Sequence, residues 1–199
     1  MAHKPRAEMI AETRAKLISA GRKAFGDKGY AEASMDDFTA EVGLTRGALY
    51  HHFVDKKGLM AAVIAQIDAE MSKKLAQISA DEPTRWDRFV AENIGYLEMA
   101  LDPEVQQIML RDGPAVLGDP ASWPTALNCV KVIASGIAEL QADGVARPID
   151  SEAAARLITG ASTYAAQWIA NSKDPRATLQ LAIPAFMTLL NGLLLEPSS

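Results

Sequence analysis

The side chains able to do chemistry are few. Two histidines stand side by side, His51 and His52, in the stretch LTRGALYHHF at 44–53, and the only other histidine is His3. The sole cysteine is Cys129. Paired imidazoles could hold a metal ion or pass a proton, but the spacing speaks against both. Neighbours on a helix diverge by about 100°, so they do not readily share one ion, and zinc asks for three or four ligands. No nucleophile motif accompanies them, and no histidine follows His52. A lone cysteine closes no intrachain disulfide and builds no zinc cluster, a usage that fits a reducing cytoplasm. Cys129 reads as an apolar filler or, alternatively, as a thiol sensor. The expectation is therefore no catalytic residue, no metal site and no cofactor.

The bulk numbers agree with a folded, non-membrane chain. Of 199 residues, 49% are apolar and 23% charged, a globular balance. No apolar run approaches the roughly 18 residues of a membrane span, and no apolar h-region follows the basic residues at the start. Net charge is −5, unevenly spread. Residues 1–58 carry ten Lys/Arg against eight Asp/Glu, and 59–199 carry ten against seventeen. A mildly basic front end sits on an acidic body.

The elements that must position these residues are all helical. Apolar positions recur at three- and four-residue steps. Ile10, Leu17, Ile18, Gly21, Ala24 and Phe25 line one face of a first helix, and Gly29 offers a left-handed stop. Ser34 opens a second helix with SMDD, a variant capping box. Thr45 caps a short third helix ending near Phe53, and Asp55 a long fourth over 56–80. Later starts are marked by the Thr84–Asp87 box, by Asp102-Pro103, Asp119-Pro120 and Asp174-Pro175, and by Asp150. Gly144 ends a helix. About nine helices result. The two parts, 1–57 and 58–199, are expected to share the fourth helix.

Residues 34–53 form one unit: a helix of about eight residues, a glycine turn, then a second helix, the helix-turn-helix pattern. Gly43 falls where a sharp turn wants positive φ. Phe38 and Val42 on the first helix face Leu49 and Phe53 on the second. Gly47, Tyr50 and His51 then point outward, with Arg46 and Ala48 near the front. Small residues let a helix sink into a major groove. Arg46 could fork onto guanine or instead touch phosphate or solvent. Tyr50 and His51 could donate to phosphates, with Lys56 next in line at a helix start.

These residues resemble a family. Phe25–Tyr30 (F-x-x-x-G-Y), Ser34–Phe38 (S-x-D-D-F), Val42–Phe53 (VGLTRGALY-x-HF) and Phe53–Leu59 (F-x-x-K-x-x-L) together are similar to the DNA-binding domain of TetR/AcrR-type transcriptional regulators. Thr39 departs from the family's usual alanine. The resemblance implies an all-α fold, a three-helix DNA-reading domain (1–57), and a ligand-binding and dimerisation domain (58–199). It implies a homodimeric repressor of double-stranded operator DNA, released by a small molecule. By position it implies DNA contacts from Ser34, Thr45, Arg46, Gly47, Ala48, Tyr50, His51 and Lys56. The rival readings are a ligand-independent DNA-binding regulator and an all-helical enzyme retaining the motif.

Two further expectations concern the body. Trp86, Phe89, Asn93 and Tyr96 on one helix, and Tyr164, Gln167 and Trp168 on another, mix aromatics with a few polar groups, as a drug-sized pocket does, although core packing explains the spacing too. With no carboxylate pair or arginine cluster in view, the expected ligand is uncharged, apolar or aromatic. The last two helices carry apolar stripes: Leu157, Gly160, Ala161 and Tyr164, then Leu179, Ile183, Phe186 and Leu190. These are expected to build a four-helix dimer interface. Pro184 is expected to kink the last helix. Residues 111–119 read as a connector or as a flap over the cavity.

Overall fold

A computed structural model describes residues 5–195, without the side chains of Asp37 and Glu41. His3 lies outside the described residues, as does the Asp37 side chain of the SMDD box.

Helix α1 (Arg6–Glu32) buries Leu17, Ile18, Ala20, Gly21, Ala24 and Phe25. Gly21 lets α4 approach: a Cβ there would come within 2.9 Å of Leu59. Gly29 has φ +76° and kinks α1, but helical turns resume as far as Glu32, so the glycine bends the element instead of ending it. Helices α2 (Met35–Val42) and α3 (Arg46–His52) come next, joined through Gly43 at φ +64°. Thr45 accepts from the Ala48 N–H at 3.2 Å and caps α3, an interaction worth about 1 kcal/mol. Phe25, Phe38 and Leu49 are fully buried and Phe53 nearly so. Phe25 meets Phe38 edge-on at 5.3 Å and Tyr30 at 5.6 Å. Thr39 is buried here too, and its hydroxyl donates to the Asp36 carbonyl at 3.1 Å. That bond satisfies the polar atom which the family's usual alanine lacks.

Helix α4 (Lys56–Ser79) begins at Asp55, which accepts from Gly58 N–H at 2.7 Å. It buries Leu59, Met60 and Val63, and further along Ile64, Ile67 and Met71. One unbroken rod therefore belongs to both parts of the chain. Helix α5 (Arg85–Met99) packs against α4 and starts at the reciprocal Thr84–Asp87 box. Asp102 caps the next start, accepting from Glu104 N–H at 2.8 Å. That start opens a π-helical segment, Val105–Asp112, running into the short α6 (Gly113–Leu117). A period of 3.6 cannot announce that wider winding. Gly113 is buried with no room for a Cβ, which would lie 2.7 Å from the Trp123 ring. Most of 111–119 is thus helix packed into the bundle, and the chain breaks only at Gly118, φ +87°.

After a 3₁₀ turn at Pro120–Ser122 come α7 (Pro124–Ala142), α8 (Ser151–Asn171) and α9 (Pro175–Asn191). Asp150 and Asp174 cap α8 and α9 as their sequences indicate. Helix α9 runs through Pro184 as one element. Helix α8 packs between α7 and α9 and also against the π segment. Backbone bonds Arg147 N–H to Leu193 O (2.8 Å) and Leu195 N–H to Val145 O (3.0 Å) tie the α7–α8 turn to the end of the chain.

The front helices are fastened to the body by charge as well as packing. Arg22 of α1 donates in a fork to Glu104 and with a third N–H to Glu70 of α4, all at 2.7–2.8 Å. Both acids hold the guanidinium firmly protonated. The Tyr30 N–H donates to Asp112 at 2.7 Å, and Gln107 donates to the same oxygen at 2.9 Å. The π segment therefore touches α1 through Asp112 at its end, and through Glu104 just before its start.

Candidate nucleic-acid interface

The inward anchors decide which way α3 faces. Leu49 and Phe53 plug into the core beneath it, so Gly47, Tyr50 and His51 stand exposed on the other side, with Arg46 exposed at the front of the helix. Tyr50 is half exposed. Ser34 and Thr45 are placed at the starts of α2 and α3, and Ala48 lies on the first turn of α3. Nothing but the Thr45 hydroxyl, at 3.8 Å, comes near the space a Gly47 side chain would take. The result is a flat, small-residue surface flanked by a guanidinium, a phenol and an imidazole. Such a surface fits a major groove, with donors for base edges and phosphates.

Two cations in this set have protein partners that the sequence did not reveal. Arg46 forks onto Asp36 of α2, Nε to Oδ1 at 2.8 Å and Nη2 to Oδ2 at 3.1 Å. Lys56 lays its ammonium over the Tyr30 ring at 4.2 Å and donates to Ala33 O at 2.7 Å and Ala31 O at 3.4 Å. Two of its three protons thus close the α1–α2 turn. The paired histidines diverge as helical neighbours must, their rings 5.5 Å apart and 57° out of parallel. His51 is exposed. His52 is half-buried beside Phe53, over which the Arg14 guanidinium lies at 5.2 Å. Burial, then His51, then Arg14 push the His52 imidazole below its ordinary range. Among the described residues no group of three His, Cys, Asp or Glu is placed to hold a metal.

The model of bacterial regulatory proteins of the tetR family matches residues 17–63. The model of the tetracyclin repressor-like C-terminal domain matches residues 86–193, more than half of the chain. The chain belongs to the TetR family. A crystal structure of a TetR-family transcriptional regulator from Pectobacterium atrosepticum is 49% identical, covers 98% of this chain and 100% of its own, and superposes with a TM-score of 0.88. Among curated relatives, the transposon Tn10 TetC protein of Escherichia coli is 29% identical over 115 residues, 56% of either chain. The HTH-type transcriptional regulator TtgR of Pseudomonas putida is 37% identical over 75 residues, 38% of this chain and 35% of its own. The chain spans about half the length of the first of these curated relatives and about a third of the second. As a TetR-family protein, it is a helix-turn-helix transcriptional regulator, of a family whose members are generally DNA-binding repressors. Family and fold point to regulation and not to an enzyme. No described helix is long and apolar enough to cross a membrane.

The body of this TetR-family chain redistributes the residues expected to form a pocket. Phe89, Asn93 and Tyr96 of α5 do face inward. Trp86 stacks on Phe89 at 5.8 Å, and the buried Asn93 amide donates to Phe89 O at 2.8 Å. Gln167 is half-buried. Tyr164 and Trp168 are different: they are 72% and 46% exposed, on the outer side of α8. Four-residue spacing put them together, but the side of α8 that packs inward is the one carrying Ser162, Ala166 and Ile169. Two open clefts on the surface share Arg22 and Glu104, and one of them is also lined by Glu70.

The residues of the expected dimer stripe divide between solvent and core. Leu157 (76% exposed), Gly160 and Tyr164 stand in solvent on α8, with Ala161 half-buried beside them. On α9, Leu179, Phe186 and Leu190 are buried in the chain's own core, and Ile183 is half-buried against it. A side chain already covered has no surface left for a partner. The exposed large apolar residues of α9 are Leu181 and Leu189, with Pro184 and Ala185 between them. Sequence periodicity finds an apolar stripe, but two stripes on one helix cannot be told apart without knowing what lies on either side.

Proposed function

We propose that this TetR-family protein acts as a homodimeric repressor of a near-palindromic operator and is released from it by a small molecule bound in residues 58–199. Residues 1–57 serve as the DNA-reading part. One observation carries the reading: buried Leu49 and Phe53 fix α3 so that Gly47, Tyr50 and His51 face outward, with Arg46 exposed at the front of the helix. In this reading α3 enters the major groove. Ser34, Thr45 and Ala48 line its approach, Arg46 reads a base edge, and Tyr50 and His51 meet phosphates. Lys56 supports the α1–α2 turn and adds positive potential beside a helix start. The exposed stripes of α8 and α9, Leu157, Gly160, Tyr164, Leu181 and Leu189, supply the dimer contact. Such a protein works on DNA in the cytoplasm.

The test is selection of bound duplexes from a random library by the purified protein. The expected outcome is a two-fold symmetric site whose half-site centres lie about 34–36 Å apart, or a multiple of that. Enrichment of asymmetric sites, or of none, overturns the reading.

A further inference from the structure

Residues 111–119 read from the sequence as a connector or a flap, and the fold makes their first three residues a meeting point. Arg111 donates through Nη2 to the Ala170 carbonyl of α8. That oxygen is among the last four of α8, where carbonyls lack partners within the helix and a nearby cation is favourable. Asp112 accepts on Oδ2 from the Tyr30 N–H of α1 at 2.7 Å and from Gln107 Nε2 at 2.9 Å. Gly113 is buried where a Cβ would stand 2.7 Å from the Trp123 ring and 3.1 Å from Ile64 of α4. Three consecutive residues thus hold α8, α1 and α4.

The contact with α1 falls at its kink. Gly29 has φ +76° and ψ 165°, so the Tyr30 amide leaves the line of α1 and an acceptor outside the helix takes it up. The same glycine makes room for that acceptor. A Cβ there would lie 3.2 Å from Gln107 Nε2 and 3.6 Å from Asp112 Oδ2. Beyond the kink one turn remains, closed by the Ala33 N–H to Gly29 O bond at 3.2 Å, and then α2 begins. Phe25 packs on the Tyr30 ring, and Lys56 covers that ring and binds Ala33 O. Those holds come from residues 1–57. Asp112 holds the same turn from the body, through a bond to a charged group, which is short and strong.

We propose that Arg111, Asp112 and Gly113 form the joint that fixes the helix-turn-helix against the end of α8, and that Asp112 is thereby a positioning residue for operator half-site spacing. This rests on the two-fold, α8-mediated dimer stated under Proposed function. In that dimer each recognition helix is set at a distance from α8 by the joint, the kinked turn and α2. The Arg22 fork holds the shaft of α1, whereas the joint holds the turn that leads into α2. With Asp112 in place the two recognition helices keep one separation. Without it the turn shifts about Gly29, and operators of several spacings are accepted. None of the three residues has to touch DNA.

The experiment presents the full chain with a library of duplexes in which two copies of the selected half-site are separated by a varied number of base pairs. All proteins are compared below the melting temperature of the least stable. Wild type is expected to favour one spacing. Asp112→Ala and Arg111→Met are each expected to admit neighbouring spacings and to bind the wild-type site about tenfold more weakly, within the range for residues that carry coupling without touching a ligand. Asp112→Asn keeps an oxygen able to accept both bonds and is expected to match wild type. Thr84→Ala removes the cap of α5 and so costs stability without reaching the joint; it is expected to keep the single spacing. A sharp preference retained by Asp112→Ala or Arg111→Met, a broad one in Thr84→Ala, or an Asp112→Asn protein as defective as the alanine variant overturns the proposal. If Asp112→Ala does not fold, Arg111→Met decides the spacing. Amide exchange in the DNA-free protein is the second readout. Loss of the acceptor is expected to speed exchange at Tyr30, and an unchanged rate in Asp112→Ala overturns the joint by itself. If wild type selects no two-fold site, the dimeric reading fails, and the exchange rate alone decides the joint.

Discussion

Arg46 and Asp36 hold each other fork to carboxylate across the two helices of the motif, at 2.8 and 3.1 Å. Both side chains are mostly exposed, 63% and 68%, and such pairs contribute no more than about 1 kcal/mol. The pair therefore opens at little cost when a base edge or phosphate offers the guanidinium a better partner. Asp36→Asn is expected to tighten operator binding several-fold by removing the competitor. Arg46→Ala is expected to weaken it by about 1–3 kcal/mol, the worth of a bidentate base contact. Gel-shift titration of both variants checks this. Weaker binding by Asp36→Asn would mean that the acid aims Arg46 and does not compete for it.

Lys56 separates two roles that its position alone confounds. Its ammonium caps two carbonyls and covers Tyr30, so Lys56→Met should destabilise the fold by about 1–2 kcal/mol in urea unfolding. If it also neutralises a phosphate, the slope of log affinity against log salt should fall by about 1. A lowered stability with an unchanged slope assigns Lys56 to the turn alone.

The α8–α9 surface predicts a contrast between two substitutions on one helix. Leu189→Asp alters an exposed residue and should leave the monomer's stability within about 0.5 kcal/mol while abolishing the dimer and operator binding. Phe186→Asp buries a charge in the chain's own core and should unfold the protein outright. Sedimentation and circular dichroism distinguish the two. A Leu189→Asp protein that stays dimeric removes this stripe from the interface.

His52 gives the protein an acid-side weakness. Its imidazole binds a proton less readily in the folded state than in the unfolded one, because of burial, His51 and Arg14 in that order. Its stabilising contribution is therefore complete above the unfolded value of about 6.5. It is lost progressively as pH falls from there toward the lowered folded value. Replacing it with glutamine should flatten that part of the stability profile. A His52→Gln profile that overlays wild type contradicts the direction.

Much of the fold was legible because helix ends are chemically explicit. Thr45, Asp55, Thr84, Asp102, Asp150 and Asp174 each accept the N–H that their sequence context promised. The outward face of α3 was legible too, since two buried residues four apart fix the rest. The partners of Arg46 and Lys56 were not, because Asp36 and the carbonyls of Ala31 and Ala33 lie 10 to 25 positions away. The inner face of α9 was missed since both of its sides are apolar. The π segment has no signature at a period of 3.6.

Helix α4 also constrains how proteins of this kind can be recombined. Leu59 locks its first turn against Gly21 of α1, while Ile67 and Met71 are buried further along, and no loop intervenes. Inserting one residue between them would rotate everything downstream by about 100° and advance it about 1.5 Å. The Arg22 fork onto Glu104 and its third bond to Glu70 would then lose their shared geometry. Grafting this front end onto another body succeeds only when the splice preserves helical phase, in steps of about seven residues. The joint is a matter of angle before it is a matter of sequence.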